Sequence, residues 1–244
     1  MDQIQESQLG VGDYIDANNA SWSFGGAIAK TFDDHVSKSV PRYIDGHDLV
    51  VGLSDFFLSD QSTCYEIGCS TGALIRKIAR HNKEKNIRAI GIDIERDMIS
   101  HAESLSDEES GNLQFINADI VDFGLEKTDL IVAYYTVQFI RPRFRQNVID
   151  RIYESLNWGG AFILFEKVRA PDARFQDIMA SMYVDYKIEK GYSAGEIVAK
   201  TRSLKGVLEP FSTQGNIDLL KRAGFSDIMS IMKHVCFEGF LAIK

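Results

Sequence analysis

The sequence predicts an α/β fold, a largely parallel sheet covered by helices on both faces. Three observations predict it. From Thr63 onward, short apolar runs alternate with amphipathic helical segments. The runs lack the polar alternation of a half-exposed sheet, so they read as strands buried on both faces. Tyr65-Glu-Ile-Gly-Cys-Ser-Thr-Gly72 then reads as a strand that ends in a glycine turn opening a helix, and Ile90-Gly-Ile-Asp93 as the next strand, ending in a carboxylate. Third, Glu66/Gly68, Asp93 and Asp119 sit at the ends of three successive strands. That edge is where open α/β sheets bind ligands.

The elements follow in order. Residues 1–20 are polar and predict a mobile tail. Gly26 to Ser37 and Gly46 to Leu58 read as helices separated by Pro41. They precede the alternation and so form an N-terminal helical cap. Strand one spans 63–67; the helix over 71–82 places Leu74, Ile75, Ile78 and Ala79 at helical spacing. Strand two covers 88–92, with a helix over 95–105 and a charged turn at 106–111. Strand three runs from Leu113 to Asn117 and strand four from Leu130 to Tyr134, followed by a helix over 142–156. Asn157-Trp-Gly-Gly160 predicts a turn into strand five, Ala161 to Phe165. Residues 171–210 interrupt the alternation with two polar helices, Asp172 to Lys190 and Ser193 to Leu208, split by Gly191. They predict an inserted arm. A helix from Asn216 to Ala223 and two strands, Asp227 to Val235 and Glu238 to Ile243, complete the chain. A terminal hairpin on a parallel sheet requires one antiparallel strand. The division is therefore a tail and cap over 1–60 and a sheet domain over 61–244.

Composition narrows the function classes. The 244 residues are 45% hydrophobic and 25% charged, enough for a single core. The net charge of −8 argues against a broad nucleic-acid footprint; Arg141, Arg143 and Arg145 are the one local basic patch. Cys64, Cys69 and Cys236 are odd in number, with no CxxC spacing, which fits a reducing compartment and no structural zinc. His35, His47, His81, His101 and His234 are scattered, so no metal site is expected. No apolar run approaches transmembrane length, and the acidic start Met1-Asp-Gln-Ile-Gln-Glu is unlike a signal peptide. A cytoplasmic protein without a membrane partner is expected.

The loop chemistry points to an adenosine-type ligand. Gly68 permits a sharp turn, and the helix behind it aims free amides into that turn. A dinucleotide site would place a glycine where Ser70 stands, to admit a pyrophosphate. The serine favours a single nucleoside with an amino-acid tail, S-adenosylmethionine over NAD. Asp93 lies 21 residues past Gly72 and is placed for the ribose hydroxyls; it also suits a helix N-cap. Asp119 is placed for the adenine amine, with Ile120 against the ring and Ile94 beside Asp93. Cys69 lies in the loop and reads as a small buried residue. Glu166-Lys167 ends strand five, as a site pair or a structural one. Asp172, Arg174 and Asp177 read as a solvated face; Met179, Met182 and Tyr183 as packing or a dimer contact.

Glu-Ile-Gly-Cys-Ser-Thr-Gly, Gly-Ile-Asp and Ala118-Asp-Ile120 resemble the cofactor loops of class I methyltransferases. Trp22-Ser-Phe24, Ser39-Val-Pro-Arg-Tyr43, Thr136-Val-Gln-Phe139, Leu156-Asn-Trp-Gly-Gly160, Glu166-Lys167 and Gly191-Tyr-Ser193 further resemble the carboxy-S-adenosylmethionine synthase family, over about residues 21–244. The resemblance implies a Rossmann-like, seven-stranded methyltransferase sheet, a homodimer, and cofactor contacts at Tyr43, Gly68, Ser70, Asp93, Asp119 and Ile120. Two positions depart from the family. Tyr134 stands where the family has an asparagine facing the cofactor. Thr201 stands where it has an arginine that reaches the added carboxylate across the dimer interface, with Arg202 one residue later. That step swings a helical side chain by about 100°, and an arginine fork suits a carboxylate.

The first expectation is therefore a methyltransferase that uses S-adenosyl-L-methionine on a small molecule. Tyr134 and Arg202 are the catalytic candidates; Tyr43, Glu66, Gly68, Cys69, Ser70, Asp93, Ile94, Asp119, Ile120 and Tyr134 are the cofactor contacts. Because neighbouring strand residues face opposite ways, Tyr134 rather than Tyr135 is expected in the pocket. The cap around residues 14–32 and the arm over 171–210 would enclose the acceptor. The alternatives are a carboxy-S-adenosylmethionine synthase with a prephenate-like carboxyl donor, and a non-catalytic cofactor-binding scaffold.

Overall fold

The computed structural model describes residue 24 and residues 26–106 and 111–244. The expected tail over 1–20, residues 14–23 of the expected cap, and most of the turn at 106–111 lie outside them.

Seven strands form one sheet: β1 Thr63–Ile67, β2 Arg88–Asp93, β3 Asn112–Asn117, β4 Thr128–Tyr134, β5 Leu156–Lys167, β6 Asp227–His234 and β7 Phe237–Ile243. Their order is β3-β2-β1-β4-β5-β7-β6. All neighbours pair in parallel except β7, antiparallel to both β5 and β6. The expected single antiparallel strand is thus β7. Chain order reverses between β1 and β4, which opens a crevice at the strand C-termini.

Strand residues alternate between two apolar layers. One packs Cys64, Leu130, Val132, Ile163 and Phe165 with helices α2 (Tyr43–Ser54) and α3 (Ala73–His81). The other packs Ile67, Ile92, Ile131, Phe162 and Phe240 with α5 (Pro142–Ser155) and α8 (Thr213–Ala223). This period of two, with both faces covered, is why the strands read as continuous apolar runs. α4 (Arg96–Ser104) follows β2. The arm is α6 (Ala173–Glu189) and α7 (Ala194–Ser203). Asp172 is the N-cap of α6, its side chain accepting from the Phe175 amide, and a Ser193/Glu196 capping box starts α7.

Helix α1 (Phe32–Ser39) binds the two ends of the crevice together. Asp33 accepts a hydrogen bond from the Thr71 hydroxyl of the glycine loop at 2.7 Å. At the other end of α1, Ser39 meets the Tyr192 hydroxyl at 2.7 Å and accepts from Lys200 Nζ at 2.6 Å, while its carbonyl accepts from the Tyr183 hydroxyl at 2.8 Å.

Three expectations change. Asn157-Trp-Gly-Gly160 is no free turn but the start of β5. The register jumps from Thr128↔Leu156 to Leu130↔Ala161, a bulge absorbed at Gly159, whose φ is +80°. The second arm helix stops at Ser203 rather than running to Leu208, with Gly206 at φ +78° beyond it. Arg145 belongs to no surface patch. It is buried and donates to the carbonyls of Ile140, Gln138 and Glu209, with Phe211 stacked on its guanidinium. An arginine so placed satisfies three loop carbonyls that burial would otherwise strand.

Candidate active site

The cofactor end is built from strand termini. After β1, Gly68 (φ +69°) and Gly72 (φ +73°) adopt left-handed conformations. A Cβ on Gly68 would lie 2.3 Å from the Thr136 side chain, so the loop needs both the φ and the space. Ser70 also takes a left-handed φ of +49°, the backbone that a middle glycine would supply in a dinucleotide loop. Its amide donates to Asp93 Oδ2 at 2.8 Å, and the Glu95 amide donates to Asp93 Oδ1 at 2.9 Å. Asp93 therefore locks the loop to β2 and keeps lone pairs for a ligand's hydroxyls. It is not the N-cap of α4; Glu95 holds that place, without a side-chain cap bond. Burial raises the Asp93 pKa.

The expected contacts converge on one cavity of about 1410 Å³. Tyr43, Glu66, Gly68, Cys69, Ser70, Asp93, Ile94, Asp119, Ile120 and Tyr134 all line it. Ile94, 61% exposed, and the buried Ile120 both line it, apolar side chains suited to a purine. Asp119 holds the following turn by accepting from the Val121 amide at 2.9 Å. Glu66 is buried, accepts from the Ile75 amide at 2.8 Å, and has its pKa pushed up to about 8 by desolvation. Burial also pushes the Cys69 thiol well up, so it is an inert wall.

The catalytic candidates are placed differently from expectation. The Tyr134 ring packs into the α2/α3 layer against Phe165, His47 and Tyr43. Its hydroxyl donates to the Tyr43 carbonyl at 2.6 Å, and burial raises its phenol far above the ordinary range. That bond engages the Tyr134 hydroxyl with the cap, while its ring lines the cavity. Gly46 leaves the room for it: a Cβ there would meet the Tyr134 oxygen at 2.2 Å. Tyr135 lines the cavity too, against the strand-alternation expectation, because its φ of +61° breaks the extended backbone. Arg202 is exposed and lies outside the cavity of its own protomer, whereas Thr201 lines it.

Lys167, Tyr183, Lys187 and Lys200 line the opposite wall of the cavity; of the Glu166-Lys167 pair the lysine takes the site place, while Lys187 and Lys200 were not among the sequence candidates. Lys167 ends β5 and parts company with Glu166, which is buried beside Arg145 with its pKa well raised by desolvation. Tyr183 faces inward; Met182 is the exposed neighbour. Lys187 follows Tyr183 by four residues and therefore shares its helix face, a spacing visible in the sequence. Among the described residues no cluster of metal-ligating side chains occurs, and no helix is long and apolar enough to cross a membrane.

Sheet order, glycine loop and the strand-end carboxylates define a class I S-adenosylmethionine-dependent transferase, and the residues present fit that cofactor. Residues 65–162 match the family model described as a methyltransferase domain. A carboxy-S-adenosyl-L-methionine synthase from Nautilia profundicola is 38% identical over 91% of this chain and 94% of its own length. One from Staphylococcus epidermidis is 36% identical over 93% and 99%. Among solved structures, an O-methyltransferase family protein from Burkholderia thailandensis has a TM-score of 0.63 at 14% identity, covering 88% of this chain and 59% of that one. Human N-acetylserotonin methyltransferase in complex with SAM has a TM-score of 0.54 at 16% identity, over 88% and 59%. These two show the fold. The chain belongs to the carboxy-S-adenosyl-L-methionine synthase family, and it is an enzyme.

Proposed function

We propose that the protein is a carboxy-S-adenosylmethionine synthase: the carbon–carboxyl bond of a prephenate-like acid and one methyl C–H bond of S-adenosylmethionine break, the carboxyl carbon bonds to the methyl carbon, and the methyl proton leaves with the donor's ring hydroxyl as water while the donor's ring becomes aromatic. The relatives reverse the order expected from Tyr134 and Thr201, which had put methyl transfer first. The observation that carries the reading is the single cavity that joins the nucleoside loops to a lysine-lined wall under α1, α6 and α7. Its volume exceeds the roughly 300–1,000 Å³ of a one-ligand pocket, leaving room for a second reactant.

The bound cofactor supplies an activated methyl on a sulfonium. Asp93 holds the ribose hydroxyls, Asp119 the adenine amine, and Ile94 and Ile120 the purine faces. Tyr43, Tyr134 and Tyr135 wall the methyl side and exclude water. Holding two reactants in one cavity converts their meeting into a proximity effect. The described cap helices α1 and α2 and the arm form the lid, the sheet the floor. A homodimer, which the family resemblance implies, would offer the exposed Arg202 to a partner.

The test is direct. The full chain is incubated with S-adenosylmethionine and prephenate, and the cofactor product is weighed by mass spectrometry. A carboxylated product is expected; cofactor of unchanged mass overturns the reading. Thr201, in place of a carboxylate-binding arginine, favours methyl transfer to a small molecule as the second reading. Demethylated cofactor copurifying with the protein is its signature.

A further inference from the structure

Two buried ammonium groups on the arm side of the cavity have no counter-charge. Lys187 is 6% exposed, and Lys167, at the end of β5, is mostly covered. Both line the cavity. Each ammonium lies 4.4 Å from the centroid of the same ring, that of Tyr183, so the two are no more than twice that distance apart. The ring is fixed: its hydroxyl donates to the Ser39 carbonyl, and its edge packs on Phe237 at 5.2 Å. Among the described residues neither ammonium donates a hydrogen bond or pairs with a carboxylate. The charges that act on them are each other, Arg169 and Lys200 on the same wall, all of them cationic.

Burying one cation without a partner costs several kcal/mol, and two like charges across one ring add repulsion. The ring faces return only part of that, about 0.5–2 kcal/mol for each cation–π contact. Such an arrangement is kept where an anion completes it. Desolvation and Lys167 lower Lys187 to about 8, which leaves it charged at neutral pH.

We infer that Lys167 and Lys187, held on Tyr183, form a carboxylate clamp for the acid substrate, within one protomer. The inference rests on the proposed reaction for the identity of the acid, a dicarboxylate of the prephenate kind, and on the geometry alone for the clamp. Two cations facing one cavity favour a dianion over a monoanion. The clamp also supplies a cationic group in cis where Thr201 replaces the arginine implied by the resemblance. It leaves the nucleoside end untouched, because Asp93 and the glycine loop are carried on different strands.

The test separates the clamp from the reaction. Prephenate is titrated by calorimetry into full-length protein saturated with S-adenosylhomocysteine, which has no methyl to react. Wild type is expected to bind. Lys187→Met weakens that binding roughly tenfold or more, the scale of a lost charged hydrogen bond. The Lys167→Met, Lys187→Met double variant abolishes it, and Lys187→Arg restores most of it. Affinity for S-adenosylhomocysteine stays at the wild-type value and reports that each variant is folded. In turnover, KM for prephenate rises more than kcat falls. Undiminished prephenate binding by the double variant overturns the clamp, as does absence of binding by wild type. Binding that depends on the lysines without any carboxylated product leaves the clamp standing and removes the reaction instead.

Discussion

The two ends of the cavity are built on different principles. The nucleoside end is made of strand termini and backbone: Gly68, Ser70, Gly72 and Asp93 are fixed by φ angles and amide bonds within about 25 residues of one another in sequence. The far end is made of side chains on helices from distant parts of the chain. Ser39 of α1 meets Lys200 and Tyr192, 161 and 153 residues away. The first end follows from a fold-wide loop geometry; the second is particular to the side chains of this chain's cap and arm. A parallel sheet delivers its strand ends to one edge whatever the reaction, whereas inserted helices vary with it.

The sharpest break in that comparison comes from Gly68→Ala. A left-handed φ and a 2.3 Å approach to Thr136 forbid the Cβ. Cofactor affinity, read by calorimetry, is expected to fall about 100-fold or more, with stability lower by roughly 1–3 kcal/mol from backbone strain. Affinity within a factor of two of wild type would show that the loop is not the cofactor cradle. Asp93→Ala comes next. It removes the ribose acceptor and leaves two amides unpaired, so cofactor binding should weaken about 10–100-fold, at roughly 1.5–3 kcal/mol per charged hydrogen bond. Unchanged binding removes the ribose assignment.

A smaller effect tests the boundary between the ends. Tyr134→Phe keeps the ring packed and strands the Tyr43 carbonyl, at a cost of about 1 kcal/mol in chemical denaturation. Turnover should stay within a few-fold. A loss of 100-fold or more in kcat, with stability intact, would return Tyr134 to proton transfer.

The pH profile of stability gives the smallest and most diagnostic contrast, because the two ends carry opposite signs. Glu66 keeps its proton up to about pH 8 in the folded state, while the unfolded chain releases it near 4.5. Its contribution therefore falls as pH rises from about 4.5 to 8. Lys200 is lowered to about 7 by burial and its lysine neighbours. The folded chain gives up that proton above pH 7 while the unfolded one holds it to 10.5, so its contribution rises with pH over that interval. Urea melts at a series of pH values should show Glu66→Gln flattening the fall and Lys200→Met flattening the rise. A profile unaltered by Glu66→Gln would mean that this carboxyl is not held protonated.

How much was legible follows the same division. The strands, the antiparallel β7 and the glycine turn could be read, since each depends on a local period or a turn residue, and the residues expected at the cofactor all line one cavity. The departures were local events that tertiary contacts override. A bulge at Gly159 pulled a predicted turn into β5, and a positive φ at Tyr135 put two adjacent tyrosines on one cavity. Arg145 left its apparent basic patch to cap three carbonyls. The motifs carry the synthase family, and Tyr134 and Thr201 are single substitutions within similarity that spans 91% of the chain.

The sequence by itself determined the α/β sheet, the cofactor class and the strand-edge residues that line the cavity, because a 3.6-residue period, a period of two and a glycine-rich turn are written in neighbouring positions. Only the tertiary structure decided that Tyr134 and Tyr135 both line one cavity, and that Lys167, Lys187 and Tyr183 share it. Those outcomes depend on which face each side chain takes and on what lies opposite it. Neither is encoded within reach of a local pattern.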